Sequence, residues 1–151
     1  MRTTLAIVLL LISGLVMTAR SATTGADMEA IRRAALDYIE GWYAGDAARM
    51  ERSLHPELAK RIVRTTQGGE SRLDSMSAMT LVQRVRTGIG THVPKEKQQK
   101  DVTILDTYEN VAIVKIVAAG WIDYLQMAKF NDEWKIVNVL WELKPQHAAA
   151  R

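Results

Sequence analysis

Residues 36–61, LDYIEGWYAGDAARMERSLHPELAKR, decide the fold of this chain. They contain the aromatic end of an amphipathic helix, a Gly-Asp pair, a short second helix and a His-Pro break. Glycine favours helix ends and aspartate favours helix starts, so Gly45 is predicted to end the first helix and Asp46 to cap the second. Proline suits the first turn of a helix, so residues 56–60 are predicted to be helical, with His55 as their cap.

The start of the first helix and one further helix are predicted on either side of this stretch. Asp27 is expected to cap the first helix, whose apolar residues recur at three- and four-residue spacings. These residues are Met28, Ile31, Ala35, Tyr38, Ile39 and Trp42. Residues 61–67 are expected to be extended before a turn at Gly68-Gly69, and Ser77 is expected to cap a third helix.

The last third of the chain changes to a period of two. Residues 101–108, 111–118, 121–130 and 133–143 are rich in β-branched and aromatic residues, and short turns separate them. They predict an antiparallel meander. Helices followed by a meander indicate an α+β domain in which the N-terminal helices pack in a curved, mainly antiparallel sheet.

The first residues predict a cleavable signal peptide, residues 1–21. Arg2 precedes an apolar run at residues 5–17, which is shorter than the roughly 20 residues that span a bilayer. Small residues at Ala19 and Ser21 precede a cleavage point before Ala22. The folded domain is then expected at residues 22–145 with a tail at 146–151, in a periplasmic or secreted protein that is not inserted in the membrane after cleavage.

Composition limits the function classes. The chain is 48% hydrophobic and 25% charged, as expected for a globular domain, and it has no cysteine for a disulfide or a lipid anchor. The formal net charge of +3 falls by two when Arg2 and Arg20 leave with the signal peptide. No basic cluster alternates with aromatic residues, so no nucleic-acid partner is expected.

Four segments resemble the nuclear transport factor 2-like superfamily and, within it, the lumazine-binding group of exported bacterial proteins. They are YIEGW at 38–42 with GD at 45–46, HPELAKR at 55–61, WIDYL at 121–125 and WKIVN at 134–138. The resemblance implies the cone fold, a homodimer built through the sheet and a pocket at the wide end of the cone. Superfamily members include isomerases, dehydratases, cyclases and binding modules, so the activity stays open.

Two polar residues interrupt apolar faces of the last strands. These residues are Asp123 and Asn138. If Asn131-Asp132 makes a two-residue turn, Leu125 lies opposite Asn138, and Asp123 becomes the diagonal neighbour of Asn138. Burying these polar groups without partners would cost about 1–3 kcal/mol each. They are therefore expected to pair either with each other or with a ligand.

Aromatic residues complete the predicted pocket. Trp42 and Trp121 are expected to cover the same cavity, and Tyr38 is expected either to contact the ligand or to be a core tyrosine with a satisfied hydroxyl. Tyr38 is placed like the oxyanion-donating tyrosine of the superfamily's steroid isomerases. The position of their catalytic base falls near Arg61 or Ile62, neither of which removes a carbon-bound proton at neutral pH, so that chemistry is not expected.

Histidine and metal chemistry find little support. His55 is expected to have a structural role, as a helix cap or in packing, or, alternatively, to serve as an acid–base group. His55, His92 and His147 form no pair at a metal-ligand spacing, and no Gly-rich phosphate loop occurs. Neither a metal nor a cofactor is predicted.

A row of apolar residues in the last strand predicts the dimer interface. Trp141 is expected to lie on the outer face of the sheet together with Val137, Val139 and Leu143. A soluble monomer would rarely expose such a row.

Three functions follow from these patterns. The first is an exported module that binds a small planar molecule, such as a lumazine or pterin. Its predicted lining is Tyr38, Trp42, Trp121, Asp123 and Asn138. The second is a dehydratase, isomerase or cyclase with Asp123 and His55 as the acid–base pair and Tyr38 as hydrogen-bond donor. The third is a structural dimerisation domain whose interior is filled by side chains.

Overall fold

The computed structural model describes residues 23–145, so the predicted signal peptide and C-terminal tail lie outside the described residues. The helices are α1 (Gly25–Ala44), α2 (Ala47–Ser53) and α3 (Ala78–Arg86). The strands are β1 (Leu54–Thr65), β2 (Ser71–Ser77), β3 (Lys100–Tyr108), β4 (Val111–Ala118), β5 (Trp121–Phe130) and β6 (Glu133–Leu143). Short 3₁₀ turns lie at Ile89–His92 and Lys95–Lys97.

The six strands form one curved sheet in the order β2-β1-β6-β5-β4-β3. All neighbours are antiparallel except β1 and β6, which are parallel. Apolar residues of the three helices and of the inner sheet face form the core. Its fully buried members include Ile31, Ile39, Met50, Leu81, Val114, Ile116, Leu125 and Ile136. This arrangement confirms the predicted α+β cone.

The helix ends follow the predicted capping chemistry with one correction. Thr24 caps α1, and Asp27 is the third helical residue of the same capping box instead of the cap itself. Gly45 ends α1 in the left-handed conformation with φ of 68°, which glycine adopts without a side-chain clash. Asp46 caps α2 and Ser77 caps α3, as predicted.

The helix predicted at residues 56–60 is wrong, because this segment belongs to β1. Pro56 lies in the irregular stretch of the β1–β6 pairing between Leu54 and Ala59, where its missing N–H removes no ladder hydrogen bond. Further along, the inward residues of β1 include the charged Lys60. A charged residue at an inward position hides the alternation of apolar and polar residues by which a strand is recognised in a sequence. Because His55 lies within β1, it caps no helix.

One bulge changes the predicted register of β5 and β6. Asn131 and Asp132 both have positive φ, as a two-residue hairpin turn requires, so the predicted turn is confirmed. The pairing then shifts beyond Met127, which lies opposite Ile136, whereas Gln126 lies opposite Asn138. Because successive strand residues point to opposite faces, one extra residue exchanges the two faces beyond it.

The exchange of faces overturns two predictions. Asn138 is not a neighbour of Asp123 on the inner face, and Leu125 lies opposite Val139 instead. Trp141 does not lie on the outer face with a dimer row. It lines the cavity described below together with Leu143, and Val139 is buried in the core.

Asp27 joins the start of α1 to the hairpin of β5 and β6. Its carboxylate accepts hydrogen bonds from the Trp134 indole at 3.0 Å and from Thr24, and it pairs with Lys129 at 3.0 Å. The Trp134 hydrogen bond, followed by those from Lys129 and Thr24, holds the pKa of Asp27 well below its usual range. The folded state therefore favours the charged form.

This shift predicts a specific acid sensitivity. A lowered folded-state pKa adds stability above the unfolded value of about 3.9 and loses it as the pH falls below that value. The free energy of unfolding of Asp27→Asn should therefore lie further below wild type at about pH 7 than at about pH 2.5. Urea unfolding at both values checks this, and an equal difference at both would contradict it.

Candidate functional site

A cavity of about 540 Å³ lies between the inner face of the sheet, the end of α1 and helix α3. Ligand sites commonly measure about 300–1,000 Å³. The apolar wall combines three tryptophans with aliphatic residues, and polar side chains come from β1, β2 and α3. The lining residues are Trp42, Lys60, Ile62, Arg64, Arg72, Asp74, Ser75, Met76, Thr80, Leu81, Arg84, Ile89, Trp121, Trp141 and Leu143.

Three tryptophan rings give this cavity flat apolar surfaces. Trp42 and Trp121 meet edge to face, with ring centroids 5.8 Å apart and planes at 75°. The Tyr43 ring supports Trp121 at 6.3 Å, and its hydroxyl donates to the Gln99 carbonyl at 2.8 Å. Trp141 adds a third ring from β6. A planar molecule can pack against these rings.

A buried ion pair forms the polar base of the cavity. The ammonium of Lys60 contacts the carboxylate of Asp123, and both residues are buried. Lys60 also donates to the Tyr38 hydroxyl at 2.7 Å, and that hydroxyl donates to Asp123 at 3.3 Å. The Trp121 indole donates to the same carboxylate at 2.7 Å. Asp123 thus accepts from three donors and fixes the positions of Lys60 and Trp121.

Burial shifts the pKa values of two groups at this base. Burial lowers the pKa of Lys60, and the neighbouring Asp123 carboxylate opposes that shift. Burial and the Asp123 charge raise the pKa of Tyr38 well above its usual value. Tyr38 therefore stays protonated and acts as a hydrogen-bond donor to Asp123 across the physiological pH range.

Two donors remain at the boundary between this base and the cavity. An ammonium has three N–H groups, and Asp123 and Tyr38 accept two of those of Lys60. The Lys60 nitrogen also lies 4.7 Å from the ring centroid of Trp141. The indole N–H of Trp141 is buried and has no acceptor among residues 23–145. A hydrogen-bond acceptor on a ligand would satisfy the third Lys60 donor.

The sequence model of one family, described as "Putative lumazine-binding", matches residues 26–142, which include every residue that lines the cavity except Leu143. This chain belongs to that family. The family and the cavity together make it a ligand-binding domain. No curated protein matches the chain in sequence.

Solved structures similar to this family member share its fold. An NTF2-like protein of unknown function from Shewanella baltica OS155 has a TM-score of 0.61 at 16% identity, covering 83% of this chain and 99% of its own. One from Methylobacillus flagellatus KT has a TM-score of 0.58 at 17% identity, covering 80% and 94%. A ketosteroid isomerase-like protein from Erwinia carotovora atroseptica SCRI1043 has a TM-score of 0.50 at 11% identity, covering 80% and 98%. These likenesses confirm the NTF2-like cone.

The predicted pocket residues separate into three groups in this lumazine-binding family member. Trp42 and Trp121 line the cavity. Tyr38 and Asp123 lie one layer beneath it, because Lys60 and Trp121 cover them. Asn138 lies on the outer face, where its amide bonds Gln126 at 3.1 Å and Arg61 at 3.3 Å. Asn138 is therefore not a pocket residue.

The predicted acid–base pair is not assembled. His55 stacks on Phe130 with ring centroids 4.5 Å apart, and its Nδ1 accepts from the Glu57 backbone at 3.2 Å. Phe130 and Asp123 lie seven residues apart on β5, which corresponds to about 23 Å of extended strand. His55 therefore cannot exchange a proton with the same reacting atom as Asp123.

Sequence reasoning missed Lys60 and Trp141. The signal for Lys60 was a period of two through Leu58, Lys60, Ile62 and Arg64, which a strand assignment for this segment would have placed on one face. Trp141 was assigned to the wrong face because no residue of β6 marks the bulge.

Among residues 23–145, no helix is long and apolar enough to cross a membrane, and no three acidic or histidine side chains converge as metal ligands.

Proposed function

We propose that this domain binds a planar heterocycle of the lumazine or pterin type, with an acceptor oxygen of the ring on the Lys60 ammonium. The observation that carries the proposal is the buried Lys60 at the base of a tryptophan-walled cavity. Asp123 and Tyr38 hold the ammonium in place, so the donor is oriented before the ligand enters. Such preorganisation lowers the entropic cost of binding.

The chemistry of the cavity matches that of a pteridine-dione. A fused aromatic ring system provides flat surface for Trp42, Trp121 and Trp141. Its ring carbonyls accept hydrogen bonds from a cation in a site with little water, where such bonds are stronger than in bulk solvent. The indole N–H of Trp141, which is buried and has no acceptor among residues 23–145, is a further donor for a ligand carbonyl.

The two other functions considered above lose support. The enzyme reading relied on Asp123 and His55 acting together, and these residues lie far apart on the sheet. The structural-domain reading predicted an interior filled by side chains, and the cavity of about 540 Å³ contradicts that expectation. Binding is therefore the function that the geometry favours.

Replacing Trp141 with leucine tests this proposal. Loss of one stacking ring should weaken lumazine binding about tenfold, since stacking of a base on an aromatic side chain is worth about 1–3 kcal/mol. Titration calorimetry with lumazine measures this. Tyr124→Leu is a matched control, because Tyr124 is an exposed aromatic residue on the neighbouring strand β5 and does not line the cavity. Equal affinity in wild type and Trp141→Leu would refute the proposed ligand position.

Export and dimerisation complete the proposal. The leader pattern at residues 1–21 supports export to the periplasm or medium. Four exposed residues that do not line the cavity support a homodimer through the sheet: Tyr124 with its cross-strand partner Leu140, and Val63 with Leu73. N-terminal sequencing of protein from the native host should find Ala22, and sedimentation should find a dimer; an intact Met1 or a monomer would contradict these two points.

A further inference from the structure

The rim of the cavity carries more positive than negative charge. Lys60, Ile62 and Arg64 alternate along β1 and all line the cavity, and Arg72 and Asp74 do so on the paired strand β2. Arg64 and Arg72 are direct cross-strand partners. Arg84 joins them from α3. Among the lining residues in the described range 23–145, three guanidinium groups therefore share this opening with a single carboxylate.

These charges are only partly neutralised within the protein. The Asp74 carboxylate pairs with Arg64 at 2.8 Å and with Arg72 at 3.0 Å, so one negative charge serves two arginines. Arg84 has no ion pair or side-chain hydrogen bond among residues 23–145. Lys60 is already neutralised by Asp123. About two positive charges at the rim thus lack a counter-charge.

The charged lining of the cavity is buried at the base and partly exposed at the rim. Lys60 is 5% exposed, whereas the Arg64 and Arg72 side chains are 33% and 66% exposed. Lys60 and Arg64 lie four residues apart on one strand, a distance of about 13 Å between their backbones, which the arginine side chain can shorten. A two-ring heterocycle with an acceptor oxygen at one end and a substituent at the other fits this span.

We infer that the rim is an anion subsite and that the ligand is a planar heterocycle carrying a carboxylate or phosphate at the end remote from Lys60. This inference rests on the proposed binding of a planar heterocycle in the same cavity. Guanidinium groups bind both anions through paired hydrogen bonds. Arg84 supplies the unpaired guanidinium. Arg64 and Arg72, which share the Asp74 carboxylate, supply the remaining positive electrostatic potential.

Two probes and two variants test the subsite. Lumazine-6-carboxylate should bind about tenfold more tightly than lumazine, because a hydrogen bond to a charged group is worth about 1.5 kcal/mol or more. Arg84→Gln should remove most of this preference, because it should weaken the binding of lumazine-6-carboxylate more than the binding of lumazine. Arg86→Gln is the matched control, since Arg86 lies on the same helix but faces a different cavity beside His55. Added salt should weaken only the carboxylate probe.

The outcomes separate this inference from the function on which it rests. Equal affinity for the two probes, or an equal loss for both in Arg84→Gln, would overturn the anion subsite and leave heterocycle binding intact. If neither probe binds wild type, the proposed function fails and the subsite with it. A preference for the carboxylate that disappears in Arg84→Gln and persists in Arg86→Gln supports both.

Discussion

Lys60→Met is expected to lower the free energy of unfolding by about 3–5 kcal/mol, the range found when one partner of a buried ion pair is removed. The change leaves the Asp123 carboxylate without a counter-charge in a fully buried position. It also removes a donor from the Tyr38 hydroxyl. Chemical denaturation of the purified domain measures the effect.

A second lysine provides the matched control. Lys100 pairs with Glu40 at the surface, where such pairs contribute about 0–1 kcal/mol, so Lys100→Met should change stability little. In the Lys60→Met background, Asp123→Asn should recover part of the lost stability, because it removes the unpaired charge. If Lys60→Met costs no more than Lys100→Met, the buried ion pair is not present in solution.

Gly90→Ala is expected to cost about 1–3 kcal/mol of stability, the usual range for overpacking, and to weaken ligand binding. A Cβ atom at Gly90 would meet the backbone oxygen of Trp42 and would lie 2.7 Å from its indole ring atoms. Trp42 must therefore move, and with it one wall of the cavity. Thermal unfolding and lumazine titration of the same variant measure both effects.

The effect of Gly90→Ala is compared with that of Gly25→Ala. Gly25 is the first residue of α1, and a Cβ atom there would meet nothing within 4 Å. The Gly25 variant should fold and bind as wild type does, within about 0.5 kcal/mol. If the two variants have equal stability and equal affinity for lumazine, Trp42 does not need the space that Gly90 leaves.

Most of the fold was predictable because local chemistry determines it. The caps at Asp46 and Ser77, the helix end at Gly45 and the turn at Asn131-Asp132 each depend on residues close in sequence. Strands β1 and β2 were harder to predict. Strand β1 has a proline, Pro56, near its start, and β2 is a largely exposed segment, SRLDSMS, that is strand only because β1 pairs with it.

The site was only partly predictable because it depends on tertiary register. Asp123 was recognisable as a polar exception on an apolar face, but its partner is Lys60 from a distant strand instead of Asn138. The bulge opposite Gln126 and Met127 decides that Trp141 faces inward, and no local signal marks it. The charge of the rim arises when β1, β2 and α3 come together, which the sequence alone does not show.

The central claim, that a planar ligand lies among three tryptophans above Lys60, is tested most directly by NMR. The chain has four tryptophans, each with one indole N–H signal in a proton–nitrogen spectrum of isotopically labelled protein. On addition of lumazine, we predict that the signals of Trp42, Trp121 and Trp141 shift. Trp134, whose indole donates to Asp27 and which does not line the cavity, should not shift and serves as an internal control. Unshifted cavity signals at saturating lumazine, or a shift of Trp134 alone, would contradict the account.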